Sequence, residues 1–174
     1  LMFILYELVS KRMGDPDPLH PHDDIDDQHP VIIAGVGRFG QVVNRLVQNS
    51  GFQTTVLDHN LETIQLMRRF GFKGFFGDPS RPELLHAAGL ETAKIIVVAV
   101  DDPETAVTLV KYAKKERPDI KIIARATDRV QVFRLYQAGA DHIVREMFDA
   151  SLRAGRYVLE ELGLTEFEAH EQEV

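Results

Sequence analysis

The 174-residue chain is 44 % hydrophobic and 27 % charged, enough apolar material for a core and too much for a disordered polymer. It contains no Cys, which excludes a disulfide scaffold, a cysteine nucleophile and thiolate metal sites. Its formal net charge of −7 argues against a protein that neutralises nucleic-acid phosphates, and no nucleic-acid partner is expected.

The acidity is concentrated at the start. Residues 1–29 hold seven acids against two bases, a balance of −5, and the rest of the chain carries only −2. Leu1–Val9 reads LMFILYELV and is followed by Lys11 and Arg12. Nine residues, all but Glu7 apolar, are too few for a bilayer, which takes about 20, and the run lacks the basic leader and cleavage site of a signal peptide. It reads equally as the last turns of a longer membrane helix with a basic flank or as a short amphipathic helix packed on the domain. Residues 1–13 are therefore expected to form the end of a transmembrane or membrane-proximal segment, and the chain to be part of a longer protein. Residues 14–29, GDPDPLHPHDDIDDQH, hold three Pro and six Asp and cannot build a core, so they read as an acidic, disordered linker. His20 and His22 could hold a cation, but Pro21 stiffens the pair and no second ligand set is visible, so no metal site is assigned.

From Val31 the rhythm is regular. VIIAG (31–35) is a short apolar run suited to a strand buried on both faces. The following segment places Phe39, Val42, Val43, Leu46 and Val47 at helical spacing and stops at Gly51. TTVLD (54–58) is a second strand. Asn60 caps a helix carrying Ile64, Met67 and Phe70. KGFFGD (73–78) is a third strand, and Ser80 starts a helix with Leu84, Leu85 and Ala88 that Gly89 ends. KIIVVAV (94–100) is the most hydrophobic strand and is expected at the centre. Asp102–Pro103 opens a helix with Val107, Val110 and Ala113 that stops before Pro118. KIIARA (121–126), a helix capped by Asp128 and ended by Gly139, and HIVR (142–145) complete the series.

Strands alternating with helices over short connections predict an α/β fold: a doubly wound, six-stranded parallel Rossmann sheet with an added C-terminal helix. The domain is expected over residues 30–145. Residues 146–174 are expected to supply a dimerisation helix and tail. Within them, Glu146–Leu162 carries Phe148, Leu152, Leu159 and Leu162 on one side, with Met147, Ala154 and Val158 beside them. This stripe is wider than a sheet edge needs, which points to a second subunit and a homodimer.

Gly35-Val36-Gly37-Arg38-Phe39-Gly40 is a GxGxxG turn between a buried strand and a helix. Gly35 allows the tight turn, Gly37 lets a pyrophosphate approach the backbone, and Gly40 lets the helix pack on the strand. The helix N-terminus offers free N–H groups to an anion. Asp58 ends the second strand, 18 residues beyond Gly40, where an acid accepts a ribose diol and repels a 2′-phosphate. Gly77–Asp78 and Asp101 follow the third and fourth strands at the same crevice. The expected nucleotide contacts are Gly35, Gly37, Arg38, Phe39, Gly40, Asp58, His59, Gly77, Asp78, Asp101 and Arg125.

Catalytic machinery is missing from the pattern. No His is set against a nucleophile or an orienting acid, no substrate domain follows the sixth strand, and no P-loop Lys is present. The expected role is to sense a nucleotide, not to turn it over.

VIIAGVGRFGQ, LDHN, FGDPSRPELLHAAG, VDDPE and IIARA together resemble the KTN or RCK (TrkA-N) regulatory domains of bacterial potassium transport, across residues 30–162. Within that family the chain looks most like the cytoplasmic domain of the Kef glutathione-gated potassium efflux systems, through its apolar-plus-basic leader and its closing VLEELGL. The resemblance implies the gate of a potassium/proton antiporter at the cytoplasmic face of the bacterial inner membrane, with no enzymatic activity. It implies a homodimer with AMP or NAD(H) in the cleft and glutathione between subunits. Glutathione would hold the transporter closed, and bulky adducts would open it. The implied partners are a membrane transport domain on the same polypeptide and a soluble ancillary flavoprotein. Kef domains continue beyond the region matching Leu164, so contacts from such an extension are not expected in this chain.

The residues offer the second ligand a plausible chemistry. Glutathione carries two carboxylates, and Arg clamps carboxylates bidentately. Arg125 lies within the fifth strand, where an unpaired charge is costly, and so needs an anionic partner. Arg129, Arg134, Arg145 and Arg156 lie near the later helices. The expected glutathione contacts are Arg125, Arg129, Arg134 and Arg156. Two other readings remain: a stand-alone Trk- or Ktr-type gating subunit, and a fragment of a nicotinamide-dependent oxidoreductase.

Overall fold

The computed structural model describes Ile25 and residues 28–172. The expectations for residues 1–13, for most of the 14–29 linker and for the His20–His22 pair lie outside the described residues.

Six strands and seven helices alternate among the described residues. They are β1 (Val31–Ala34), α1 (Arg38–Asn49), β2 (Thr54–Asp58), α2 (Leu61–Arg69), β3 (Phe75–Phe76), α3 (Pro82–Ala87), β4 (Ile95–Val98), α4 (Pro103–Glu116), β5 (Lys121–Ala126), α5 (Arg129–Ala138), β6 (His142–Arg145), α6 (Phe148–Glu161) and α7 (Glu166–Glu171). All strands pair in parallel in the order β3-β2-β1-β4-β5-β6. The winding direction changes between β1 and β4, so the loops leaving these two strands part and open a crevice at their C-terminal ends.

The apolar runs explain the layers. Successive side chains of a strand point to opposite faces, so a strand covered on both faces must be apolar throughout. Ile32 and Ala34 of β1 join the core beneath α3, α4 and α5, with Ile96 and Val98 of β4 and Ile122 and Ala124 of β5. Val31 and Ile33 join the core on the other face, with Val56, Val97, Ile64 and Met67. The expected caps form: the Asn60, Asp102 and Asp128 side chains accept from the N–H groups of Thr63, Thr105 and Gln131. Gly139 ends α5 in the left-handed region at φ 108°.

Several boundaries differ from expectation. Ser80 does not start a helix. Its N–H and hydroxyl bond the Asp78 carboxylate at 2.9 and 2.7 Å, forming a turn, and α3 begins at Pro82 with Arg81 at the cap. The strand expected over 73–78 shrinks to Phe75–Phe76, which pair only with Leu57 and Asp58 at the sheet edge. The helix expected to open at Glu146 opens at Phe148, because Met147 adopts a left-handed φ of 65°. Val42, Leu46 and Phe70, expected on apolar helix stripes, are exposed. On α1 the deeply buried positions are instead Gly40 and Asn44. Asn44 is tolerated there because its Oδ1 accepts the Thr54 hydroxyl at 2.6 Å. Helix α7 replaces an expected tail. Thr165 and Glu168 form a reciprocal capping box, and Ala169 is buried against α6.

Candidate functional site

The crevice is built on a glycine turn whose three glycines do different work. Gly35 sits at φ 95°, and a Cβ there would lie 2.7 Å from the backbone of Ala99 and Val100. At Gly40 a Cβ would lie 2.0 Å from the Gly35 carbonyl oxygen, so only glycine lets α1 start this close to β1. Gly37 differs: its backbone is extended, and a Cβ would meet nothing within 4 Å. Its missing side chain is not needed for packing, and the space it leaves faces the crevice.

Behind Gly37 the first turn of α1 holds unspent donors. The first intrahelical bond runs from the Gln41 N–H to the Gly37 carbonyl. The N–H groups of Arg38, Phe39 and Gly40 have no acceptor among the described residues, and no acid stands in the first turn. An unpaired helix N-terminus with no acid of its own is suited to an anion. Arg38 is exposed at the same end and adds a positive charge.

Asp58 is where the sequence places it, at the end of β2, but it is only 6 % exposed. Its Oδ2 accepts the Val36 N–H at 2.7 Å, and its Oδ1 accepts the Asn60 N–H at 2.7 Å. The acid thus ties the glycine turn to the start of α2, a structural duty that spacing alone did not reveal. Each oxygen keeps a second lone pair with which a ribose hydroxyl can bond. His59 is exposed, with Nδ1 3.7 Å from Asp58 Oδ1. The Gly77 N–H bonds the Asp58 carbonyl at 2.9 Å and brings the β3 end to the same edge. Asp78 spends its Oδ1 on Ser80.

The arginines expected at a second ligand mostly have partners inside the chain. Arg125 is 8 % exposed. Its two terminal nitrogens reach Glu146 at 2.5 Å, and Asp101 at 2.6 Å together with the Val100 carbonyl at 3.1 Å. The anionic partner it required is thus supplied internally. Arg134 makes a two-pronged pair with Glu104, whose carboxyl is held below its usual range by that hydrogen bond. Arg156 pairs with Glu160 at 3.5 Å. Arg129 is exposed and has no side-chain partner among the described residues. It borders a cavity of about 520 Å³ with Val132, Ile143, Arg145 and Phe148, and the Arg145 guanidinium lies 4.4 Å above the Phe148 ring.

Glu146 was not foreseen. Its signal was an acid directly after β6. Its value appears only through the register that sets Arg125 and Ala126 of β5 beside Val144 and Arg145 of β6. No cluster able to hold a metal ion occurs among the described residues, nor any helix long and apolar enough to cross a membrane.

Residues 31–146 match the TrkA-N domain family. The chain is 46 % identical over 151 residues to the glutathione-regulated potassium-efflux system protein KefC of Escherichia coli. That match covers 86 % of this chain and 24 % of the relative, so the chain spans about a quarter of the length of the curated relatives it matches. Among solved structures it is similar to a Shewanella denitrificans Kef CTD in its AMP-bound form. The identity there is 39 %, the TM-score 0.73, and the match covers 82 % of this chain and 87 % of the other. It is also similar to the TrkA-N domain of the inner membrane protein ybaL of Escherichia coli, at 25 % identity and TM-score 0.68, covering 79 % and 99 %. The GsuK channel bound to NAD, at 19 % identity and TM-score 0.66 over 88 % of this chain and 27 % of that one, shares the fold.

Proposed function

Because the chain belongs to the TrkA-N domain family, we propose that it is a regulatory, non-enzymatic domain. It senses a nucleotide and glutathione, and it gates a bacterial potassium/proton antiporter carried on the same polypeptide. The observation that carries the reading is the open anion cradle: three unspent N–H groups on α1, an unfilled space at Gly37, and Asp58 held rigid beside them. An adenine nucleotide, AMP or NAD(H), fits with its phosphate on α1 and its ribose on Asp58. The AMP-bound Kef domain favours AMP. The domain would lie at the cytoplasmic face of the inner membrane.

Dimerisation through α6 is supported by the helix having no buried residue in the single chain, while Phe148, Tyr157, Val158 and Leu162 stand exposed. Val130, Phe133 and Tyr136 add an exposed apolar face on α5. Glutathione would bind near this boundary. Arg129 and Arg145, which share a cavity with Phe148 and Asp149, form no ion pair among the described residues, nor does Arg153 on α6, and this leaves them freer to clamp a carboxylate than Arg125, Arg134 or Arg156.

Calorimetry with AMP and with NADH on the parent and on Gly37→Val tests the cradle. The parent should bind, and the variant should lose at least tenfold in affinity with an unchanged Tm, because the new side chain meets only the crevice. A parent that binds neither nucleotide, or a variant that binds as well as the parent, overturns the assignment.

A further inference from the structure

We propose that Arg125 is a positioning residue that couples nucleotide occupancy of the crevice to the placement of α6 at the subunit boundary. The inference rests on the nucleotide and dimer readings above and adds the link between them.

The link is a continuous run of close contacts. Gly35, in the phosphate turn, lies so close to Ala99 and Val100 that no Cβ fits between them, and the Ala99 N–H bonds the Ala34 carbonyl at 2.8 Å. A displacement of the turn therefore displaces the end of β4. There the Val100 carbonyl and the Asp101 carboxylate both accept from one terminal nitrogen of Arg125. The other terminal nitrogen holds Glu146, two residues before α6. The Glu146 N–H bonds the Ala126 carbonyl at 2.7 Å, and the next residue, Met147, is the one non-glycine residue at positive φ among the described residues.

The guanidinium is held only at its tips. Its Nε is buried and makes no hydrogen bond. A buried cation gripped by groups on two different loops transmits the movement of either to the other, since losing one partner strands charge away from water. The two loops differ in freedom. The Asp101 side chain is 85 % exposed at the crevice mouth and Glu146 is 27 % exposed. A nucleotide in the crevice changes the charge around the Asp101 carboxylate, and a change in its grip on Arg125 passes through Arg125 to the Glu146–Met147 bend. Helix α6 has no buried residue of its own to hold it, so the bend is its principal tether to the sheet.

The test is a linkage measurement on the 174-residue chain. The dimer dissociation constant is measured by sedimentation with and without saturating AMP, and amide exchange is followed over residues 146–151. In the parent, AMP should tighten the dimer by about fivefold or more, the lower range of ordinary couplings, and slow exchange at the start of α6. Glu146→Gln lies outside the proposed nucleotide contacts. It should keep the AMP affinity of the monomer and bring the coupling factor to about one, with no AMP effect on exchange, while the Tm falls because buried Arg125 loses one carboxylate. Arg125→Lys should also lose the coupling, because one ammonium cannot hold both loops, and its own AMP affinity and Tm are measured beside it because Arg125 borders the crevice. A purely structural Arg125 would lower Tm and leave the coupling intact. An uncoupled parent, or Glu146→Gln with full coupling, overturns the proposal alone. A parent that binds no AMP or forms no dimer overturns the reading it rests on as well.

Discussion

Around the β1–α1 turn the close approaches involve backbone: Gly40 against the Gly35 carbonyl, Gly35 against Ala99 and Val100 just after β4, and the Val36 N–H on the Asp58 carboxylate. Along α6 not one residue is buried: Phe148, Tyr157 and Val158 are exposed, and Leu152 and Leu159 are half-buried beside α7. The first region is built within a single chain and suits a small anion, and the second suits a protein surface. On the function proposed above, one domain holds two kinds of binding site, a rigid cradle preorganised by sterics and an apolar face organised by association.

Substitutions can break this contrast. The largest effect is expected at Gly40→Ala. A Cβ 2.0 Å from the Gly35 carbonyl cannot be accommodated by rotating a side chain, so the turn must move and the loss should be about 3 kcal/mol or more by chemical denaturation. Asp58→Ala comes next. It strands the Val36 and Asn60 N–H groups as well as the ribose, so about 2–4 kcal/mol of stability should be lost along with nucleotide affinity. A variant that loses affinity alone would show that the Asp58 tie contributes nothing to the fold.

Val158→Glu sharpens the contrast from the other side. The residue is 58 % exposed, so the monomer should lose less than about 0.5 kcal/mol while light scattering reports half the parent's mass. An unchanged mass would remove α6 from the interface. The smallest effect is expected at the opposite pole. There Arg117 donates to the Leu90, Glu91 and Ala93 carbonyls and pairs with Asp119. The Arg117 hydrogen bond, helped by a backbone N–H, lowers the Asp119 carboxyl to about 2. A carboxylate depressed in the folded state stabilises above its unfolded value of about 4, and that gain disappears as pH falls from there towards about 2. Asp119→Asn should flatten the fall of Tm across that window only slightly, because the pair is solvated.

Reading the chain without its fold reached the parts governed by local rules. Alternation of apolar runs with helical stripes gave the six strands and their parallel pairing. Asn60, Asp102, Asp128 and Gly139 ended helices where the residue chemistry required. GxGxxG marked the turn between β1 and α1 because Gly35 and Gly40 answer steric demands that their neighbours create. Even α7 was legible, in the Thr165–Glu168 box, although it was read as tail.

Burial on a given side was not legible. Val42 and Leu46 have the same apolar character as Val43 and Val47, and only the angle at which α1 meets the sheet turns the first pair outward. The arginines show the same limit. That Arg125 needed an anion follows from its place in a strand. That the anions are Asp101 and Glu146 follows from strand register, which brings residues 24 and 21 positions away in sequence to hydrogen-bonding distance. Propensity, capping and turn chemistry act between near neighbours and are written in the chain. Which charge meets which, and which face is left bare, depend on long-range packing that only the assembled sheet decides.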